Sequence, residues 1–116
     1  MKISKIILSS LLVAVFSLSA QASDVTDKQA NQGKKVYLKT LKAKFKINGI
    51  KFSSQHTEQE WTELFSENGE GFKAEYSVKY PKSKKWLDNP KHDKKLQKIG
   101  NFAIKYGSDT GNVPGC

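Results

Sequence analysis

Residues 33–45 read GKKVYLKTLKAKF. Tyr37, Leu41 and Phe45 recur every four positions, Val36 lies beside them, and lysines fill most of the rest. One apolar stripe at that period is the signature of an amphipathic helix with a single buried face. The spacing predicts a helix opening at about Gly33 and broken by Asn48-Gly49, a turn-forming pair. The preceding residues 23–32 are polar and lack a firm apolar period, so they are expected to be a flexible lead-in.

Farther upstream the chain reads as an address. Lys2 and Lys5 make a positive start, Ile6 to Phe16 is mostly apolar, and Ala20-Gln21-Ala22 has the small-x-small pattern of a cleavage site. The expected organisation is a signal peptide over 1–22 cleaved after Ala22, the lead-in over 23–32, and one domain over 33–116 with a polar C-terminal tail. The apolar run is short for a bilayer span, and no stop-transfer segment follows it. No cysteine stands at the cleavage site, so no lipid anchor is indicated. The expectation is an exported, periplasmic protein without a transmembrane segment once the signal is removed.

Charge narrows the partners. The formal charge is +9, and loss of Lys2 and Lys5 leaves +7 on residues 23–116. Every basic residue is lysine. Forked recognition of phosphate or carboxylate is arginine's geometry, whereas diffuse lysine charge steers long-range encounters. An acidic protein or an anionic membrane surface fits this balance, and export sets nucleic acid aside. Cys116 is the sole cysteine. It can form no intramolecular disulfide, which leaves an intermolecular one, and zinc sets or C-x-x-C motifs are excluded.

Downstream, Thr57 and Glu60 form a capping box, and Trp61, Leu64 and Phe65 follow at helical spacing up to a stop at Asn68-Gly69. FKAEYSVKY, residues 72–80, satisfies both periods. Phe72, Ala74, Tyr76, Val78 and Tyr80 alternate as in a strand, while Phe72, Tyr76 and Tyr80 also fall at helical spacing. A short helix is the preferred reading, because a lone strand would have no partner, and Pro81 ends it. Residues 81–85 read as a charged loop. Asn89-Pro90 caps a last helix carrying Leu96, Ile99, Ala103 and Tyr106 with Phe102 beside them, and Gly107 follows it.

Three of these segments together resemble the small exported bacterial cytochromes c. GKKVY looks like their opening helix, HTEQEW (56–61) like a middle helix, and KLQKIGNFAIKYG (95–107) like the last helix, which crosses the first. The resemblance implies an all-α fold, a small cytochrome-c-like bundle of three to four helices. It offers Gly33, Gly100, Phe102 and Tyr106 as residues of the helix crossing. It also exposes a departure. The C-x-x-C-H positions of that family fall on Leu41, Lys42, Ala43, Lys44 and Phe45, and the only methionine is Met1. Thiols, proximal histidine and distal methionine are all missing, so the covalent attachment of a c-type haem is ruled out.

Two uses remain for such a scaffold. The first is a basic partner-binding protein that is not an enzyme and carries no cofactor, with Lys82, Lys84, Lys85, Lys91, Lys94, Lys95 and Lys98 as its contact residues. The family's lysine ring around the haem edge implies that role. The alternative is electron transfer with non-covalent haem held by His56 and His92, although both histidines also read as solvated residues at helix starts. Tyr37, Phe45, Trp61, Phe65, Phe72, Tyr76 and Phe102 can line a vacated pocket or fill it. Filling is favoured, because interiors are close-packed. A third use rests on Cys116, which would link two chains. Glu58, Glu60, Glu63 and Glu67 read as a solvated helix face, and no residue reads as catalytic or metal-binding.

Overall fold

A computed structural model describes residues 25–114. The segment read as a signal peptide, its cleavage point after Ala22, and Cys116 lie outside the described residues. Those described form six α-helices and two 3-10 turns, with no strand among them. The all-α expectation holds. The count exceeds the three to four helices expected, because stretches read as loops or as single helices are divided by short, sharply turned connections.

Helix α1 spans Asp27–Lys39, starting six residues before Gly33. Thr26 Oγ1 accepts from the Gln29 amide at 3.1 Å, and Gln29 Oε1 accepts from the Thr26 amide at 3.0 Å. This second capping box satisfies two backbone donors of the first turn and folds most of the expected lead-in into helix. The helix ends where Thr40 Oγ1 donates back to the Val36 carbonyl at 2.6 Å. Helix α2 (Lys42–Phe45) then closes on Lys46, whose φ of 61° is left-handed. Tyr37, Leu41 and Phe45 are all buried as the stripe requires, although two helices share them.

Asn48 starts an element as well as breaking one. Its Oδ1 accepts from Lys51 N–H at 2.8 Å and caps α3, Gly49–Ser53. Helix α4 (Glu58–Lys79) opens on the expected Thr57–Glu60 box. Its break falls at the expected Asn68-Gly69, but the chain then resumes as helix. Glu67, Asn68 and Gly69 take φ of 53°, 61° and 77°, so three left-handed residues in succession redirect the axis. Residues 72–79 settle the ambiguous stretch as helical, with Phe72 and Tyr76 fully buried. Val78, which a strand would have buried with them, is 78% exposed.

The expected charged loop is a 3-10 turn, Pro81–Ser83, followed by α5, Lys84–Asp88. Asn89 Oδ1 accepts from Lys91 N–H at 3.0 Å and caps a second 3-10 turn, Pro90–His92, which leads into α6, Asp93–Lys105.

Helices α1 and α6 cross at backbone contact. A Cβ added to Gly33 would lie 1.9 Å from the Lys98 carbonyl oxygen and 2.9 Å from Phe102 Cβ, so only glycine permits this approach. Gly100, read as part of the same crossing, instead receives the Phe65 ring of α4, whose Cγ would lie 2.8 Å from an added Cβ.

The space enclosed by α1, α3, α4 and α6 is filled with rings. Tyr37 stacks on Phe52 at 4.4 Å, Phe65 on Phe72 at 4.5 Å, Phe72 on Tyr76 at 4.4 Å, and Phe45 on Tyr80 at 4.5 Å. Offset and tilted ring pairs contribute beyond the area they bury. The polar tips are satisfied too. Trp61 Nε1–H donates to the Ser53 carbonyl at 2.8 Å, Tyr37 Oη to the Ile47 carbonyl at 2.8 Å, and Tyr76 Oη to Gln55 Oε1. These bonds pin the 47–55 segment onto the aromatic core. No helix among the described residues is long and apolar enough to cross a membrane.

Candidate functional site

The five positions aligned with a haem attachment motif lie on the loop and short helix that carry the chain off α1. Leu41 is fully buried, and Phe45 is 3% exposed within the ring cluster. Burial pushes the hydroxyls of Tyr37 and Tyr76 well above the ordinary tyrosine range, with Tyr80 adding to the first and Glu75 and Tyr80 to the second. Both stay neutral donors. The rings of the sequence-predicted aromatic set thus pack against one another as core.

The histidines occupy separate settings. His56 donates or accepts at both ring nitrogens: Nδ1 lies 3.2 Å from Glu60 and Nε2 lies 2.7 Å from Glu75, and its ring edge meets Trp61 at 4.8 Å. His92 stacks on Trp86 at 4.2 Å and places Nδ1 2.9 Å from the Trp86 carbonyl. Neither is the solvated residue read from sequence. His56 has both nitrogens engaged by carboxylates, whereas only Nδ1 of His92 is engaged, and the two side chains lie against different partners. The carboxylates around His56 meet opposite edges of the ring rather than a common point. Among the described residues no group of three His, Cys, Asp or Glu is placed to hold a metal ion. The Thr57 backbone amide, and secondarily His56, hold the Glu60 carboxyl below the usual glutamate range.

A strongly basic concavity lies elsewhere. A shallow cleft of about 240 Å³ is lined by Lys44, Phe45, Lys46, Lys79, Tyr80, Pro81 and Lys82. Three pieces of backbone build it. Helix α2 delivers Lys44 and Phe45, the left-handed turn at Lys46 swings that lysine to the rim, and the end of α4 with the Pro81 turn supplies the facing wall. The Phe45–Tyr80 stack is its floor. Lys79 Nζ lies 5.6 Å from the Tyr76 ring centroid and 5.8 Å from that of Tyr80, which holds its charge over the aromatic floor. Among the described residues the lining contains no carboxylate, and Lys44, Lys46, Lys79 and Lys82 make no ion pair there. Four uncompensated ammonium groups around one cleft create a positive potential that attracts anions.

Of the sequence-predicted contact residues only Lys82 belongs to this cleft. Lys84 is exposed and paired with Asp88 at 2.8 Å. Lys85, Lys91, Lys94, Lys95 and Lys98 are exposed on α5, the second 3-10 turn and α6, outside the cleft lining. The sequence reading missed Lys44, Lys46 and Lys79. The alternation KAKFK at 42–46 carried the signal for the first two. Their juxtaposition with Lys79 and Lys82 depends on the Phe45–Tyr80 contact across 35 positions, which no local pattern encodes.

No protein-family model, curated protein sequence or solved structure matches this chain.

Proposed function

We propose that this chain is an exported basic docking module, a cytochrome-c-like helical domain without covalent haem that binds an acidic protein partner and performs no catalysis. The observation that carries the reading is the Lys44–Lys46–Lys79–Lys82 cleft, unpaired among the described residues and free of carboxylates in its lining. Lys84, Lys85, Lys91, Lys94, Lys95 and Lys98 extend the same sign over the neighbouring surface and would steer the encounter. A protein partner is favoured over a membrane because the cleft is concave and its apolar floor is sunk; Phe45 does not protrude to enter a bilayer. The export reading draws on Lys2, Lys5 and the Ile6–Phe16 run. The cytochrome-like reading draws on the GKKVY and KLQKIGNFAIKYG segments and on the close passage of α1 over α6 at Gly33.

Calorimetric titration with poly-L-glutamate at about 50 and 300 mM salt tests the proposal, since attraction between exposed charges weakens as the Debye length shrinks. Reversing Lys44, Lys46, Lys79 and Lys82 to glutamate should abolish the salt-sensitive binding. Reversing Lys28, Lys35, Lys39 and Lys51, exposed lysines outside both the cleft and the steering surface, changes net charge equally and should weaken it far less. Equal losses in the two variants would leave only non-specific charge and refute the cleft as a site.

A further inference from the structure

Charge is segregated along this chain. All six glutamates lie between Glu58 and Glu75 on α4, and residues 52–72 hold five of them and no lysine, in a chain of twenty lysines. The left-handed break at 67–69 divides α4, and its second part, 70–79, is about 15 Å long. Exposed Glu67 and Glu70 stand at the start of that part, and exposed Lys79 and Lys82 at its end. Among the described residues none of these four makes an ion pair.

Between the charged ends the outer side of the helix is apolar. Phe72 and Tyr76 turn one face into the core, and Glu70, Ala74 and Val78, at four-residue steps, are exposed on the other. Val78 is 78% exposed, the highest value of any large hydrophobic residue among those described. Glutamate at the start and lysine at the end each suit the dipole of their own helix, which leaves the bare valine between them unaccounted for. An exposed valine alone marks nothing. Here it lies on an unpartnered helix face whose two ends carry opposite, uncompensated charge, and that arrangement is complementary to itself.

We infer that two copies of this chain pair through residues 70–79, antiparallel about a two-fold axis midway between Ala74 and Val78. Val78 of each copy then packs on Ala74 of the other, and the small alanine lets the helices approach toward the short end of the roughly 8–10 Å spacing of packed helices. The acidic end of each copy, Glu67 and Glu70, faces the basic end of the other, Lys79 and Lys82. Every contact occurs twice, so the pair is isologous and closes at two. The inference rests on the docking reading of the lysine cleft and names its acidic partner as a second copy of the chain. One helix face is smaller than a standard interface, so the association is of the weak, transient kind. The like net charge of the copies opposes it, but at about 150 mM salt the Debye length is about 8 Å, which screens the bodies of the two molecules and spares pairs in contact.

Sedimentation equilibrium of the full chain tests the pairing over about 0.02–1 mM protein at about 150 mM salt, with a reductant present so that Cys116 cannot link chains. The average mass should climb from 13.0 kDa toward twice that value and no further. Val78→Glu, at an exposed position that leaves the core intact, should weaken association about tenfold or more, because it sets a charge against the apolar centre. Reversing Lys79 and Lys82 to glutamate makes both ends acidic, and reversing Glu67 and Glu70 to lysine makes both basic; each should weaken association as strongly. Mixing these two variants in equal amounts should restore a one-to-one pair, a recovery that misfolding cannot produce. Reversing Lys39 and Lys51 should leave the mass curve unchanged. A monomer throughout, masses climbing past the dimer, or no recovery on mixing would overturn the inference. Titrating the same samples with a glutamate-rich peptide separates the pairing from the docking reading. A monomer that binds the peptide refutes the pairing alone, and a monomer that ignores it refutes both.

Discussion

Gly33→Ala puts the close crossing of α1 and α6 under direct strain. Alanine at a mid-helix glycine normally stabilises by about 1 kcal/mol through backbone entropy alone. Here the new methyl would sit 1.9 Å from the Lys98 carbonyl oxygen and 2.9 Å from Phe102 Cβ. The first of these contacts is backbone, so no side chain can swing aside to relieve it. Restoring even a 3.0 Å contact requires the two helices to part by roughly 1 Å, along the interface that packs Tyr37 against Phe102. Overpacking of a fixed core costs about 1–3 kcal/mol and more where backbone must move. Setting about 3 kcal/mol against the gain of about 1 leaves a net loss of about 2 kcal/mol. In a domain of this size that loss lowers Tm by roughly 8–16 °C. Urea unfolding followed by far-ultraviolet circular dichroism measures it. Gly100→Ala is the companion, because its added methyl would lie 2.8 Å from Phe65 Cγ, a side-chain contact at a longer distance rather than a backbone clash; its loss should be smaller. A Gly33→Ala variant as stable as the parent would refute the crossing geometry.

Three further outcomes follow from individual groups. Trp61→Phe removes the donor to the Ser53 carbonyl and some ring volume, and should cost about 2–3 kcal/mol in urea unfolding; a loss indistinguishable from zero would mean that the indole does not anchor α3. Burial raises the hydroxyls of Tyr37 and Tyr76, so their stabilising effect is complete below the free tyrosine value of about 10 and fades as pH climbs through the folded values. Their phenolate absorbance should therefore appear only as helix content is lost at alkaline pH, and Tyr37→Phe with Tyr76→Phe should remove that late phase; ionisation of these residues in the folded chain would contradict it. Glu60 carries the opposite sign. Its carboxyl is held low by the Thr57 amide and His56, so its stabilisation is present above the free value of about 4.3 and is lost as pH falls through the lower folded value. Glu60→Gln keeps the cap acceptor without the charge, so its urea midpoint should decline less steeply on acidification than the parent's; parallel profiles would disprove the coupling.

Local chemistry was the legible part of the fold. The Thr57–Glu60 box, the Asn89 cap before Pro90 and the buried faces of Tyr37, Leu41, Phe45, Leu96 and Ile99 follow from spacing and hydrogen-bonding capacity over a few residues. The Thr26–Gln29 box was equally available as a T-x-x-Q signature, but the absence of an apolar period hid it. What stayed hidden depends on partners distant in sequence. Asn68-Gly69 signals a stop, and only Phe72 and Tyr76 finding the core makes the chain resume as helix. His56 reads as solvated until Glu75, nineteen positions on, closes over it. The lysine cleft is hidden for the same reason: Lys46 is one lysine among twenty until its left-handed turn brings it to the cleft that Lys79 and Lys82 also line.

The central claim is that function resides on the Lys44–Lys46–Lys79–Lys82 cleft rather than in the aromatic interior. The most direct measurement is a heteronuclear NMR titration of the labelled chain with a glutamate-rich peptide, repeated with haem. The account predicts salt-sensitive shifts centred on residues 44–46 and 79–82 with the peptide, and no saturable change at Phe45, Trp61 or His92 with haem. Peptide shifts spread evenly over all exposed lysines, or a one-to-one haem complex that perturbs His92, would contradict it.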